Sequence, residues 1–121
     1  MYQQQVIAVV GVSQDASKYG YKIFTALRDF GMKVYGINPK GGQVNGQVIY
    51  AAMDQLPVPP EVAVLVIPPV ALDAAVAQCI ACGVKEIWFQ PGARSEAAFQ
   101  KAQAAGIKAV NGCFMADNGF W

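Results

Sequence analysis

Gly11-Val12-Ser13 ends an apolar run, VIAVVG, and leads toward a helical pattern a few residues on. A glycine that lets the chain turn sharply, hydroxyls at Ser13 and Ser17, and the positive end of a helix are the parts of a phosphate or pyrophosphate site. Gly20, early in that helix, allows close packing or the close approach of a ligand. The glycines are too few for the standard dinucleotide loop G-x-G-x-x-G. The turn by itself also reads as an ordinary strand-to-helix connection with a capping serine.

Asn38-Pro39-Lys40, after the second apolar run, narrows the choice of nucleotide. A site for NAD places an acid there to hold the ribose hydroxyls. A lysine instead favours a phosphate on the ribose, as in NADP or coenzyme A, and Pro39 stiffens its position. The alternative for Lys40 is a solvated loop lysine. Two further strand ends belong to the same edge: Ile67-Pro68-Pro69, and Gln90-Pro91-Gly92 with Arg94 behind it. The Gln90 amide suits a ligand carbonyl or a backbone loop. Arg94 is read as structural or as an interface residue rather than as a phosphate ligand.

Cys79 and Cys82 form C-x-x-C, which invites a redox or metal reading. They fall in the last turn of a helix, whose negative end raises thiol pKa values, and no second pair is present for zinc. They are read as small core residues. Cys113 follows the last predicted strand and is read as a packed cysteine. If a CoA thiol reaches it, a mixed disulfide is chemically open. The chain has no histidine, which removes Ser/His and Cys/His nucleophile pairs, imidazole metal ligands and phosphohistidine. No paired-acid site and no metal site is expected.

The elements that must place these residues alternate. Strands are expected at 5–11, 33–38, 62–68, 85–90 and 107–112, and helices at 21–31, 70–83 and 95–106, stopped by Gly31, Gly83 and Gly106. Ser95 caps the third helix. Residues 39–48 read as a glycine-rich loop, 48–57 as a short edge piece and turn, and 113–121 as a tail. The rhythm predicts an α/β fold: a doubly wound, Rossmann-like parallel sheet of five strands with helices on both faces. Its ligand crevice lies at the carboxyl ends of the strands. With 121 residues, 55% hydrophobic and 14% charged, the chain is expected to form one domain over 1–121. A net charge of +1 gives no footprint for duplex DNA or an anionic membrane. Three cysteines without a secretion signal point to the cytoplasm. Trp88 is expected in the core, and Phe120 and Trp121 are expected to dock on the body or on a second subunit.

The segments GVS…SKYG, VYGINPKG, GQVIYAAMDQLP, VIPP, IWFQPGARSEAAFQKAQAAGIKAV and NGCFMAD, in that order, resemble the small stand-alone CoA-binding proteins. Their domain is similar to the N-terminal domain of the succinyl-CoA synthetase α subunit. The resemblance implies that the first turn holds the CoA phosphates, with Gly11, Val12 and Ser13 and the run Ser17, Lys18, Tyr19 and Gly20. It implies that Asn38, Pro39 and Lys40 lie along the adenosine 3′-phosphate, and that Ile67, Pro68 and Pro69 pack against the nucleotide and pantetheine arm, with Gln90 completing the set. It also implies a homodimer. The synthetase's phosphorylated histidine lies in another domain, and this chain has none, so the ligase reaction is not carried over. VIPPVAL also lacks the charged residue frequent in that family after the third strand.

The sequence therefore reads as a binder of coenzyme A or an acyl-CoA, without activity alone, serving as a carrier, sensor or partner subunit. The alternatives are an NADP-binding reductase fragment, the CoA-binding subunit of a two-chain acyl-CoA synthetase, and a module that keeps the fold without the ligand.

Overall fold

Apolar residues at successive positions of one strand can only be buried if both faces of the sheet are covered. The computed structural model, which describes residues 2–121, meets this demand with helices on each side. In chain order the elements are β1 (Val6–Val10), α1 (Tyr19–Asp29), β2 (Lys33–Ile37), β3 (Gln43–Val44), β4 (Gln47–Tyr50), β5 (Val62–Leu65), α2 (Leu72–Ala81), β6 (Glu86–Phe89), α3 (Glu96–Ala104), β7 (Lys108–Asn111) and α4 (Phe114–Asp117). The sheet order is β3-β4-β2-β1-β5-β6-β7. All neighbours pair in parallel except β3 and β4.

Side chains alternate between two cores. Ile7, Val9, Val62, Val64 and Trp88 face a layer containing Ile23, Phe24 and Leu27 of α1 and Phe114 and Met115 of α4. Ala8, Ala63, Leu65, Ile87 and Phe89 face the other layer, with Leu72, Val76 and Cys79 of α2 and Ala98 and Ala102 of α3. The helices α1, α2 and α3 end beside the expected glycines, and the Ser95 hydroxyl accepts the Ala98 N–H at 3.2 Å as a cap.

The sheet has seven strands where the sequence pattern predicts five. The segment read as a glycine-rich loop supplies β3 and the turn of a β3–β4 hairpin, and the expected short edge piece becomes β4, which extends the parallel sheet beside β2. The cause is the Asn45-Gly46 pair, whose φ values of 49° and 77° give the two-residue turn that matches strand twist. The tail also differs from its irregular reading, because residues Phe114–Asp117 form α4. Its first free N–H, on Phe114, donates to Gln90 Oε1 at 2.6 Å, and Asn118 Nδ2 donates to the Phe114 carbonyl at 2.8 Å.

At the amino end of the sheet, the Tyr2 hydroxyl and the Trp88 indole N–H both donate to Glu86 Oε2. Burial, then the hydrogen bond and charge of Glu86, push the Tyr2 phenol from 10.0 up to about 12. A folded-state pKa above the unfolded one gives stability that is whole below the unfolded value and is lost as pH climbs through the folded one. Stability is therefore expected to fall between about pH 10 and about pH 12. Tyr2→Phe is expected to flatten that fall, read as urea midpoints at about pH 9 and about pH 11.5.

Candidate functional site

The strand order reverses between β1 and β5, so the crevice of a doubly wound sheet opens above these two strands. The turn after β1 fills it. Gly11 has φ 103°, and a Cβ there would overlap the Val66 carbonyl oxygen. Gly20 brings the first turn of α1 against that same loop, where a Cβ would strike the Gly11 carbonyl oxygen. Both glycines are thus required by backbone touching backbone. The Gly11 and Val12 N–H groups donate to the Ile37 carbonyl at 2.8 and 3.1 Å, which ties the turn to the end of β2.

Asn38 completes this tie from the other side. Its Nδ2 donates to the Val12 carbonyl at 2.9 Å, and its Oδ1 accepts the Lys40 N–H at 2.9 Å. One side chain therefore fixes the two loops against each other. Between them lies a polar cleft of about 310 Å³, walled by Val12, Ser13 and Asp15 on one side and Asn38, Lys40 and Gly41 on the other. Lys18 precedes α1 with no side-chain cap on that helix and no acid in its first turn. The positive helix end is left for a ligand or water.

The serines are partly engaged. Ser13 Oγ accepts the Asp15 N–H at 3.0 Å. Asp15 Oδ1 accepts both the Ser17 N–H at 2.9 Å and the Ser17 hydroxyl at 2.7 Å. These Ser17 bonds, helped by the Lys18 charge, hold the Asp15 carboxyl below its ordinary value. At neutral pH an anion therefore stands in the same cleft as Lys40. Gln14, Asp15, Gly41 and Gly42 are not among the residues expected from sequence, yet all four line the cleft. The Asp-x-Ser spacing is itself a signal for the turn in which an Asp side chain bonds the backbone two residues on.

Two apolar hollows flank the turn. On the α2 face, a recess of about 170 Å³ is lined by Gly11, Pro39, Ile67 and Met53, with Ala75 and Gln78 of α2. Pro68 and Pro69 follow as exposed residues, with Pro69 opening a short 3-10 turn that leads to α2. On the α1 face, a chamber of about 280 Å³ is lined by Tyr19, Val66, Gln90, Pro91, Cys113 and Trp121. The Tyr19 ring stands between Trp121, 6.3 Å away, and the Lys22 ammonium, 5.7 Å away. Phe120 docks on the body against Phe30 and Phe114, and this brings Trp121 to the chamber.

The other residues singled out from sequence lie as follows. Cys79 is fully buried and its thiol is pushed up to about 12 by burial, as befits a core residue. Cys82 is partly exposed at the end of α2 and shifts in the same direction, again through burial first. Arg94 donates from Nε to the Phe89 carbonyl at 3.2 Å. Gln90 is 4% exposed, and its oxygen holds the start of α4.

The profile of the CoA binding domain family matches residues 5–119. The chain belongs to this family. It is 28% identical over 120 residues to the acetate–CoA ligase [ADP-forming] I of Archaeoglobus fulgidus, covering 91% of this chain and 18% of that protein. It is 33% identical over 82 residues to the acetate–CoA ligase [ADP-forming] II subunit alpha of Pyrococcus furiosus, covering 67% of this chain and again 18% of the relative. The chain thus spans less than a fifth of the length of these two ligase chains. A hypothetical protein from Pyrococcus horikoshii OT3 superposes with TM-score 0.89 at 32% identity, covering 97% of this chain and 82% of that one. The chain shares a mostly parallel, Rossmann-like sheet with its solved neighbours, and its own glycine turn and Asn-Pro-Lys loop meet at one edge. Among the described residues, no helix is long and apolar enough to cross a membrane.

Proposed function

We propose that this domain binds coenzyme A or an acyl-CoA through its phosphates at the carboxyl ends of the strands, and that it catalyses no reaction alone. The observation that carries the reading is the Asn38 bridge, which sets Lys40 opposite the β1–α1 turn across one polar cleft. The surroundings fit coenzyme A in its parts. The uncapped start of α1 and a lysine suit phosphates, the recess beside Pro39 and Ile67 suits an apolar ring, and the chamber beyond Tyr19 suits the arm. Of a carrier, a sensor and a partner subunit, the last is favoured by relatives that are ligases and a ligase subunit alpha. A separate chain would then supply the chemistry.

The site is tested by amide chemical-shift mapping during titration with CoA, with NADP in parallel. The expected result is that CoA shifts the amides of residues 11–20 and 38–42, and that NADP shifts few of them at equal concentration. NADP shifting these amides while CoA does not would return the domain to redox chemistry.

Asp15 offers a separate check. Asp15→Asn keeps an oxygen for Ser17 and removes the anion from the cleft. CoA is expected to bind it about 2- to 5-fold more tightly at low salt, with the gain fading as salt screens an exposed charge. Titration calorimetry at two salt concentrations measures this.

A further inference from the structure

The chamber on the α1 face lies beside the β1–α1 turn, with Tyr19 as one of its walls. Its walls are apolar, from Tyr19, Val66, Pro91 and Trp121. Gln90 stands among them with more than nine-tenths of its surface buried. The Phe114 N–H needs an acceptor, so the Gln90 amide must turn its oxygen that way, at 2.6 Å. Its Nε2 is then aimed elsewhere and has no partner among the described residues, although it is not sealed among packed atoms. Solvent reaches this nitrogen, since no fully buried side-chain polar atom among the described residues lacks a partner, so it is a donor open to a ligand or to water. The same wall carries the Cys113 sulfur, half-buried, which accepts the Ala116 N–H at 3.5 Å.

The arm of coenzyme A has methylenes, amide carbonyls and a terminal thiol. Apolar walls, a free amide donor and a thiol in one chamber match these three in kind. The path is short in structural terms, because Tyr19 is both the first residue of α1, next to the phosphate turn, and a wall of the chamber. We propose that the chamber takes the thiol end of coenzyme A, with Gln90 Nε2 donating to an arm carbonyl, and that Cys113 exchanges with CoA disulfide to hold one CoA covalently. This rests on the CoA-binding reading above. In the exchange, the Cys113 thiol loses its proton to solvent and the sulfur attacks one sulfur of CoA disulfide. The S–S bond of the reagent breaks, a protein–CoA disulfide forms, and the second CoA leaves as a thiolate that takes up a proton. No other oxidant is needed. The remaining cysteines provide the contrast. Cys79 is buried, and Cys82 lies at the end of α2, toward the opposite edge of the sheet from the strand ends that line the chamber.

The test treats the whole, pre-reduced protein with CoA disulfide or with glutathione disulfide and follows intact mass and peptide maps. The expected result is one CoA per chain, on Cys113, formed roughly 10-fold or more faster than the glutathione adduct because binding holds the sulfurs together. Cys113→Ser, which keeps an acceptor for Ala116, is expected to lose the adduct, and Cys82→Ser to keep it. Calorimetry with reduced CoA on the same preparation separates the two levels. CoA binding without an adduct, with an adduct on Cys82, or with equal rates for both disulfides would overturn the proposal and leave the binding reading standing. No CoA binding at all would remove both.

Discussion

Gly20→Ala is expected to cost about 2–4 kcal/mol of stability and to lower the melting temperature by roughly 10 °C. In an isolated helix the exchange would gain up to about 1 kcal/mol. Here the new Cβ falls on the Gly11 carbonyl oxygen, and Gly11 is itself pressed on the Val66 carbonyl oxygen. Backbone meets backbone at both points, so no side chain can swing away. The start of α1 must leave the turn, and the N–H groups around the proposed phosphate site move with it. CoA affinity is expected to fall about 10-fold or more, the cost of displacing charge-assisted contacts. Gly31→Ala is the control. It has φ 77° with open space around the new Cβ, so backbone strain of about 1 kcal/mol is its only cost. Thermal unfolding and CoA titration of the two variants measure the difference. Equal stability losses would contradict the close approach of α1 to the turn.

Phe114→Ala is expected to be at least as damaging, about 3–5 kcal/mol, out of a total that for most domains is about 5–15 kcal/mol. Phe114 is fully buried, and its ring lies 4.9 Å from Tyr2, 5.4 Å from Trp88 and 5.9 Å from Phe120. One side chain thus joins the N-terminal arm, β6 and the C-terminal tail. Its removal leaves a cavity among three rings and takes away one of the two rings that hold Phe120, which keeps Phe30 and the Met115 carbonyl. Phe114→Leu is expected to lose much less, because most of the volume is kept. Urea midpoints at constant slope measure both. A loss below about 1.5 kcal/mol for the alanine variant would mean that the tail is not anchored through this ring.

What could be read from the sequence follows from how local each determinant is. The central strands announce themselves because β1, β5 and β6 are apolar on both faces, and Gly31, Gly83 and Gly106 each follow the C-cap residue of their helix. The β3–β4 hairpin escaped although Asn45-Gly46 is a hairpin signal. A strand of two residues, Gln43–Val44, is too short to show alternation, and the surrounding glycines resembled a loop. The helix α4 escaped because its start is held by Gln90, 24 residues earlier in the chain. The same contrast divides the site. The turn at Gly11–Ser13 and the loop at Asn38–Lys40 directly follow apolar strands, so their position on the ligand edge was legible. The Asn38–Val12 bond spans 26 residues, and the chamber gathers Tyr19, Gln90 and Trp121, so only folding brings these together. From sequence, the Gln90 amide suits a ligand carbonyl or a backbone loop. Its oxygen meets the loop at Phe114, and its nitrogen is the part still open to a ligand.

In the proposed site, Lys40 and the β1–α1 turn together hold the phosphates of coenzyme A. The most direct measurement is titration calorimetry of CoA and dephospho-CoA against the unaltered protein and Lys40→Ala. CoA is expected to bind the unaltered protein more tightly than dephospho-CoA by about 1.5–3 kcal/mol, roughly 10- to 100-fold. Lys40→Ala should erase most of that difference and leave dephospho-CoA binding nearly as it was. Equal affinities for the two ligands, or a preference that survives Lys40→Ala, would show that Lys40 does not hold the 3′-phosphate.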